Sequence, residues 1–298
     1  MPGQAHDGRD AWNSIYPIDF PYQPHFLDIN GQRIAYLDEG QGDKTLLMLH
    51  GNPVSGYVYA KLMRLLEPDF RCVVPDLLGF GLSGKPPDEK EYSLPGHIAI
   101  IETFVETLDL QSVALVGHDW GGPIGFGAAV RQPQRYAQLI FLNTMTEAPM
   151  QIRPIYWLPF HILLRLRPLF AYLVKERNLF QKFGVAIMDP QDQAVYFRAN
   201  HSPATRAAIA AFPRLIPHKR SHTNYALLKT ILEKLKTWDI PSLVIFSDKD
   251  SVFTAEQGQR FAAELQNGRF VLVPGVKHFL QYQRPSLVAT TIRTFLTP

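Results

Sequence analysis

The chain has 298 residues and a mass of 33.8 kDa, 46% of them hydrophobic and 19% charged. That is enough apolar side chain for a sizeable core, and it excludes disorder, collagen and coiled coil. A net charge of +3 with no dense Lys/Arg stripe excludes a nucleic-acid footprint. The densest basic stretch, His218-Lys219-Arg220 with His222, reads as a solvated face. A single cysteine, Cys72, makes neither an internal disulfide nor a Cys-based zinc site, which suits a reducing compartment. Met1–Asp10 lacks the apolar core of a signal peptide. The charge-free run Pro154–Leu164 falls short of the roughly 20 residues that span a bilayer. The expectation is a cytoplasmic protein with no membrane partner.

Residues 1–24 read as a proline-rich lead-in. His25–Asp28 and Arg33–Asp38 flank Asn30-Gly31, a pair that favours a tight hairpin turn. Thr45–His50, Arg71–Pro75, Ser112–Gly117 and Gln138–Leu142 follow as short buried strands, with helical spacing at Val58–Leu66, Ile98–Leu108 and Pro123–Arg131. Such alternation predicts a mostly parallel sheet flanked by helices on both faces. Strands then vanish. Arg153–Arg177 and Pro203–Arg214 are helical and rich in proline or aromatic residues. The alternation resumes with strands at Pro241–Phe246 and Phe270–Val273 and helices at Thr254–Leu265 and Pro285–Leu296. The expected organisation is a core in two parts, 1–143 and 226–298, with a helical cap at 144–225 inserted after the sixth strand. The cap would lie over the C-terminal edge of the sheet, where open α/β sheets bind ligands.

Gly117-His118-Asp119-Trp120-Gly121-Gly122 directly follows a predicted strand and opens a helix. Small–x–nucleophile–x–small in that setting is the nucleophile elbow of the α/β-hydrolase fold, here carrying aspartate where serine is usual. The bland alternative is an Asp capping the next helix. An ester formed on a carboxylate needs a base, an acid that orients the base, and an oxyanion site. His278 follows the last strand and is the candidate base. Asp250, at the end of the preceding strand, is the candidate acid, with Asp248 and then Glu147 as rivals. His50-Gly51-Asn52-Pro53 ends the third strand, where this fold takes one oxyanion N–H. The second comes from the residue after the nucleophile, Trp120.

His-Gly-Asn-Pro at 50–53, Gly-His-Asp-Trp-Gly-Gly at 117–122, Asp250 and His278 together resemble the haloalkane dehalogenases, over about residues 26–296. The cap run Tyr196-Phe197-Arg198 through Ala211-Phe212-Pro213-Arg214 is similar to that family as well. The resemblance implies that the side chains of Asn52 and Trp120 hold the departing halide. It also implies a small apolar halogenated substrate, with water and halide as the other participants and neither metal nor organic cofactor. Trp157 is a possible third donor. Two other readings stay open. One is an epoxide hydrolase using the same aspartate, for which Tyr156, Tyr172, Tyr196 or Tyr225 would donate to the opening oxygen. The other is a non-hydrolytic small-molecule receptor.

Overall fold

The computed structural model describes residues 12, 14–17, 20–150 and 166–297. Strands β1 (His25–Ile29) and β2 (Gln32–Glu39) form a hairpin whose Asn30 and Gly31 both have positive φ, as the Asn-Gly turn requires. β3 (Thr45–Leu49), β4 (Arg71–Pro75), β5 (Val113–Asp119), β6 (Tyr136–Thr144), β7 (Ser242–Ser247) and β8 (Gly268–Val273) complete an eight-stranded sheet. The order is β1-β2-β4-β3-β5-β6-β7-β8. Pairing is antiparallel at β1–β2 and β2–β4 and parallel across the rest. Every residue of β3, β5 and β7 is buried. Their unbroken apolar runs follow from helices covering both faces.

On one face, α1 (Ala60–Leu66) contributes Leu62 and Met63 to the core. On the other, α2 (Leu94–Thr107) and α3 (Gly121–Ala129) contribute Ile98, Phe104 and Ile124. α2 begins a turn before its predicted start because Ser93 caps it, its hydroxyl accepting the Gly96 N–H, with Pro95 in the first turn. Between β6 and β7 the described residues form helices and turns. They are α4 (Arg167–Ala171), running into a π-helical turn at Tyr172–Glu176, then α5 (Leu179–Gly184), α6 (Pro190–Ala199) and α7 (Ala207–Ala211). A 3₁₀ turn at Phe212–Leu215 follows α7. The part of the predicted Arg153–Arg177 helix at 153–165 lies outside the described residues. α8 (Tyr225–Thr237) buries Leu228, Ile231, Leu232 and Leu235 on one stripe, a helical period that the sequence reading leaves unassigned. Thr254 and Gln257 form a capping box at α9 (Ala255–Glu264), and α10 (Leu280–Gln283) and α11 (Pro285–Leu296) end the described chain. No helix among the described residues is long and apolar enough to cross a membrane.

The join between β5 and α3 is the tightest place in the sheet. A Cβ on Gly122 would stand 1.9 Å from the Thr144 hydroxyl oxygen and 2.9 Å from its Cβ. Thr144 is held there because that hydroxyl donates to the main-chain carbonyl of Asp119 at 2.6 Å. Gly122→Ala must therefore push α3 off the sheet or break that bond. The expected cost is about 1–3 kcal/mol of overpacking, read as a lower urea midpoint at unchanged slope. An unshifted midpoint would contradict the close approach.

Candidate active site

β5 delivers Asp119 at its C-terminal end with φ of 50°, a left-handed backbone that Asp tolerates better than most residues. The elbow turns the carboxylate toward the loop after β3. Its Oδ1 accepts the backbone N–H of Asn52 at 2.9 Å, and the backbone N–H of Trp120 also donates to the carboxylate. Asp119 is buried. Burial lifts its carboxyl above the ordinary aspartate value, while the His278 ring and the two N–H donors pull in the opposite direction without cancelling the rise.

His278 stands in the loop between β8 and α10. Its Nδ1 donates to Asp250 Oδ2 at 2.8 Å, and its Nε2 lies 3.8 Å from Asp119 Oδ2, beyond hydrogen-bond reach. Burial alone would depress the imidazole. The charge and hydrogen bond of Asp250, with the charge of Asp119, outweigh it and hold the ring above the ordinary histidine value. Asp250 is itself fixed, its second oxygen accepting the Val252 N–H at 2.7 Å. The rivals lie elsewhere. Asp248 accepts the Gly275 N–H at 2.7 Å, and Glu147 faces Gln257 at 2.6 Å and Arg260 at 3.7 Å.

The loop carrying Asn52 is pinned by His50, which is fully buried. Its Nδ1–H donates to the Gly51 carbonyl and its Nε2 accepts the Leu77 N–H, both at 2.9 Å. Burial brings this imidazole down to about 4, so it is neutral and its two nitrogens keep opposite roles. The Asn52 amide nitrogen is 3.5 Å from the Ile209 carbonyl of α7, a long contact that engages one of its two N–H groups. The Trp120 indole is buried and stands edge-on to Phe212, centroids 5.2 Å apart. Both side chains thus lie beneath the segment formed by α7 and the following turn.

Trp157 and Tyr156 lie outside the described residues. Of the other tyrosines weighed for an epoxide, Tyr172 is 49% exposed, Tyr196 packs edge-on to Tyr57, and Tyr225 opens α8. The described residues contain no group of three or more His, Cys, Asp or Glu placed to hold a metal ion. Three further residues contact the site's main chain, His118, Asn143 and Ser247. They join strands distant in sequence, so no local signal marks them.

The arrangement is a buried carboxylate between main-chain N–H donors and a carboxylate-supported imidazole. Residues 44–285 match the family model described as alpha/beta hydrolase fold. A cis-3-alkyl-4-alkyloxetan-2-one decarboxylase of Shewanella oneidensis is 31% identical, covering 93% of this chain and 89% of that protein. Haloalkane dehalogenase 2 of Mycobacterium tuberculosis is 30% identical, covering 93% and 96% respectively. Among solved structures, an ancestral haloalkane dehalogenase superposes with a TM-score of 0.84 at 26% identity, over 91% of this chain and 98% of its own.

Proposed function

This chain belongs to the alpha/beta hydrolase fold family, in its haloalkane dehalogenase-like group, and we propose that it hydrolyses carbon–halogen bonds in haloalkanes. The observation that carries the reading is the carboxylate at the elbow. Asp119 Oδ1 is engaged by main-chain N–H, and Oδ2 is left facing His278. Oδ2 attacks the halogen-bearing carbon, the carbon–halogen bond breaks, and the halide leaves with its electron pair toward the Asn52 and Trp120 side-chain N–H groups. An alkyl ester remains on Asp119. His278 Nε2 then takes a proton from water, whose oxygen attacks the ester carbonyl. Oδ1 carries the developing charge against the N–H groups of Asn52 and Trp120. As the ester C–O bond breaks, the proton on His278 Nε2 passes to the departing alkoxide and the Asp119 carboxyl gives up its remaining proton to solvent, so one water yields alcohol, halide and a proton. In this reading 144–225 acts as the cap that keeps the pocket dry.

The raised imidazole fixes the sign of the pH dependence. As a base His278 must be neutral, so ester hydrolysis gains as pH rises through the titration of the imidazole and fails below it. In the alkyl-enzyme Asp250 still raises that titration, while the charge of Asp119 is lost on esterification. Displacement by Asp119 makes no use of the imidazole and persists as long as the carboxylate stays ionised. The alkyl-enzyme is therefore expected to accumulate in mildly acidic solution, seen by rapid quench and intact mass spectrometry. A breakdown rate that is flat across this range would contradict the role of His278.

A second reading has one observation in its favour, the 31% identity to the oxetanone decarboxylase. Asp119 would attack the ring carbon bearing oxygen, opening the oxetan-2-one to a carboxylate. Loss of CO2 would then form the C=C bond and expel Asp119. No water is consumed, and no base is needed. The test incubates the protein with chloro-, bromo- and iodoalkanes, with a cis-3,4-dialkyloxetan-2-one and with styrene oxide. Halide with equimolar alcohol supports the proposal. CO2 with alkene, or diol, and no halide from any haloalkane would overturn it.

A further inference from the structure

We propose that His118 and Asn143 are positioning residues for this reaction, clamping the main-chain carbonyl of His278 and so fixing where its imidazole reaches. The proposal rests on the reading of His278 as the base. The loop that carries His278 is short and lies near the surface, with Pro274, Gly275 and Lys277 exposed. Side chains from three neighbouring strands nevertheless hold its main chain. From β5, His118 Nε2 donates to the His278 carbonyl at 3.0 Å. From β6, Asn143 Nδ2 donates to the same oxygen at 3.0 Å, so two donors meet one acceptor. From β7, the Ser247 hydroxyl donates to the Lys277 carbonyl at 2.9 Å.

Asn143 is itself locked in place. Its Oδ1 accepts the Ser247 N–H at 2.9 Å, its Nδ2 reaches the Ser247 hydroxyl at 2.7 Å, and its φ is 31°. A non-glycine residue in that region costs energy and persists only where its surroundings over-determine it. His118 is fully buried beside the His278 ring, centroids 4.7 Å apart. Burial first, and then the neighbouring His278, hold it well below the ordinary histidine value. It is therefore neutral, and its one ring proton is on the nitrogen that faces the carbonyl.

The mechanical reason is simple. The bond from Nδ1 to Asp250 fixes one point of the ring and leaves it free to pivot about that point. A second anchor on the same residue's main chain removes the pivot and sets Nε2 relative to Asp119. A displacement of about 1 Å at a reacting group can cost about 100-fold in rate.

The experiment compares His118→Leu, His118→Gln and Asn143→Gly in the full chain. Leucine removes the donor, glutamine restores an amide N–H at similar reach, and glycine removes both Asn143 donors while tolerating the positive φ. In a single turnover of a bromoalkane, His118→Leu and Asn143→Gly should release bromide within about twofold of wild type. Their alkyl-enzyme should break down about 10- to 100-fold more slowly, and His118→Gln should recover most of that loss. The low-field NMR resonance of the His278 Nδ1 proton, identified by its absence in His278→Gln, provides a readout that needs no substrate. It should broaden in His118→Leu and Asn143→Gly and sharpen again in His118→Gln. Wild-type breakdown in the folded His118→Leu and Asn143→Gly proteins would overturn the clamp. If wild type releases no bromide, the reaction assignment fails and the resonance alone judges the clamp, with an unchanged signal overturning it. Should Asn143→Gly fail to fold, the His118 pair decides.

Discussion

His278→Gln is expected to stop the protein after a single turnover. Asp119 needs no base to attack, because a carboxylate carries its own charge, and the Asn52 and Trp120 donors are untouched by the change. One equivalent of halide should therefore appear at close to the wild-type rate. The second half-reaction has lost its proton acceptor. Positioned general bases contribute about 10²–10⁴-fold, so steady-state turnover should fall by that factor while the ester persists. Intact mass spectrometry should find the protein heavier by the alkyl group of the chosen substrate, and peptide mapping should locate the increment on Asp119. Asp250→Asn should behave in the same sense, since an amide at 2.8 Å from Nδ1 no longer fixes the tautomer that leaves Nε2 free to accept. Halide release that continues beyond one equivalent at the wild-type rate in His278→Gln would sink the assignment. The same variant separates the two substrate readings, because decarboxylation of an oxetanone requires no activated water and should survive.

Much of this arrangement is legible in the sequence because its parts are local. The elbow is a run of six residues, and its strand, turn and helix each leave a signature: an apolar run, a residue that accepts positive φ, and glycines where backbones touch. The Asn30-Gly31 hairpin and the wholly buried β3, β5 and β7 were readable for the same reason. The 144–225 region was only partly readable. α7 falls inside the predicted helical stretch Pro203–Arg214, whereas α5, six residues long, is too short for a helical period to register, and α6 offers an almost wholly polar first turn. Their boundaries are set by packing against the core loops, as where Gln181 donates to the Pro53 carbonyl at 3.2 Å. Asn143 shows the limit most clearly. In sequence it is one polar residue at the end of an apolar run. Its partners Ser247 and His278 are 104 and 135 residues away and become neighbours through the order β5-β6-β7-β8. His118 likewise reads as a spacer between a glycine and a nucleophile until the sheet closes it against the loop after β8.

The other half of the cycle should answer to the leaving-group donors. Trp120→Phe keeps the main-chain N–H that serves the Asp119 carboxylate and keeps a ring against Phe212, so the fold and the oxyanion site remain. What disappears is one indole N–H, a donor with no competing acceptor function. Removing one preorganised donor from a dry site typically costs about 10²–10³-fold, and here the loss should fall on displacement alone. Halide release should slow by about that factor, while breakdown of an alkyl-enzyme already formed proceeds at the wild-type rate. The penalty should also depend on the halogen. Chloride departs with the most concentrated charge and needs the donors most, and iodide, large and polarisable, needs them least. The ratio of iodoalkane to chloroalkane rates should therefore rise in Trp120→Phe, and again in Asn52→Ala, whose main-chain N–H to Asp119 is likewise retained. Equal slowing for every halogen would mean that the tryptophan acts by shaping the pocket. Slowing of the hydrolytic step would place it in the oxyanion site instead. Only a halogen-dependent loss confined to displacement fits an indole N–H aimed at the leaving anion.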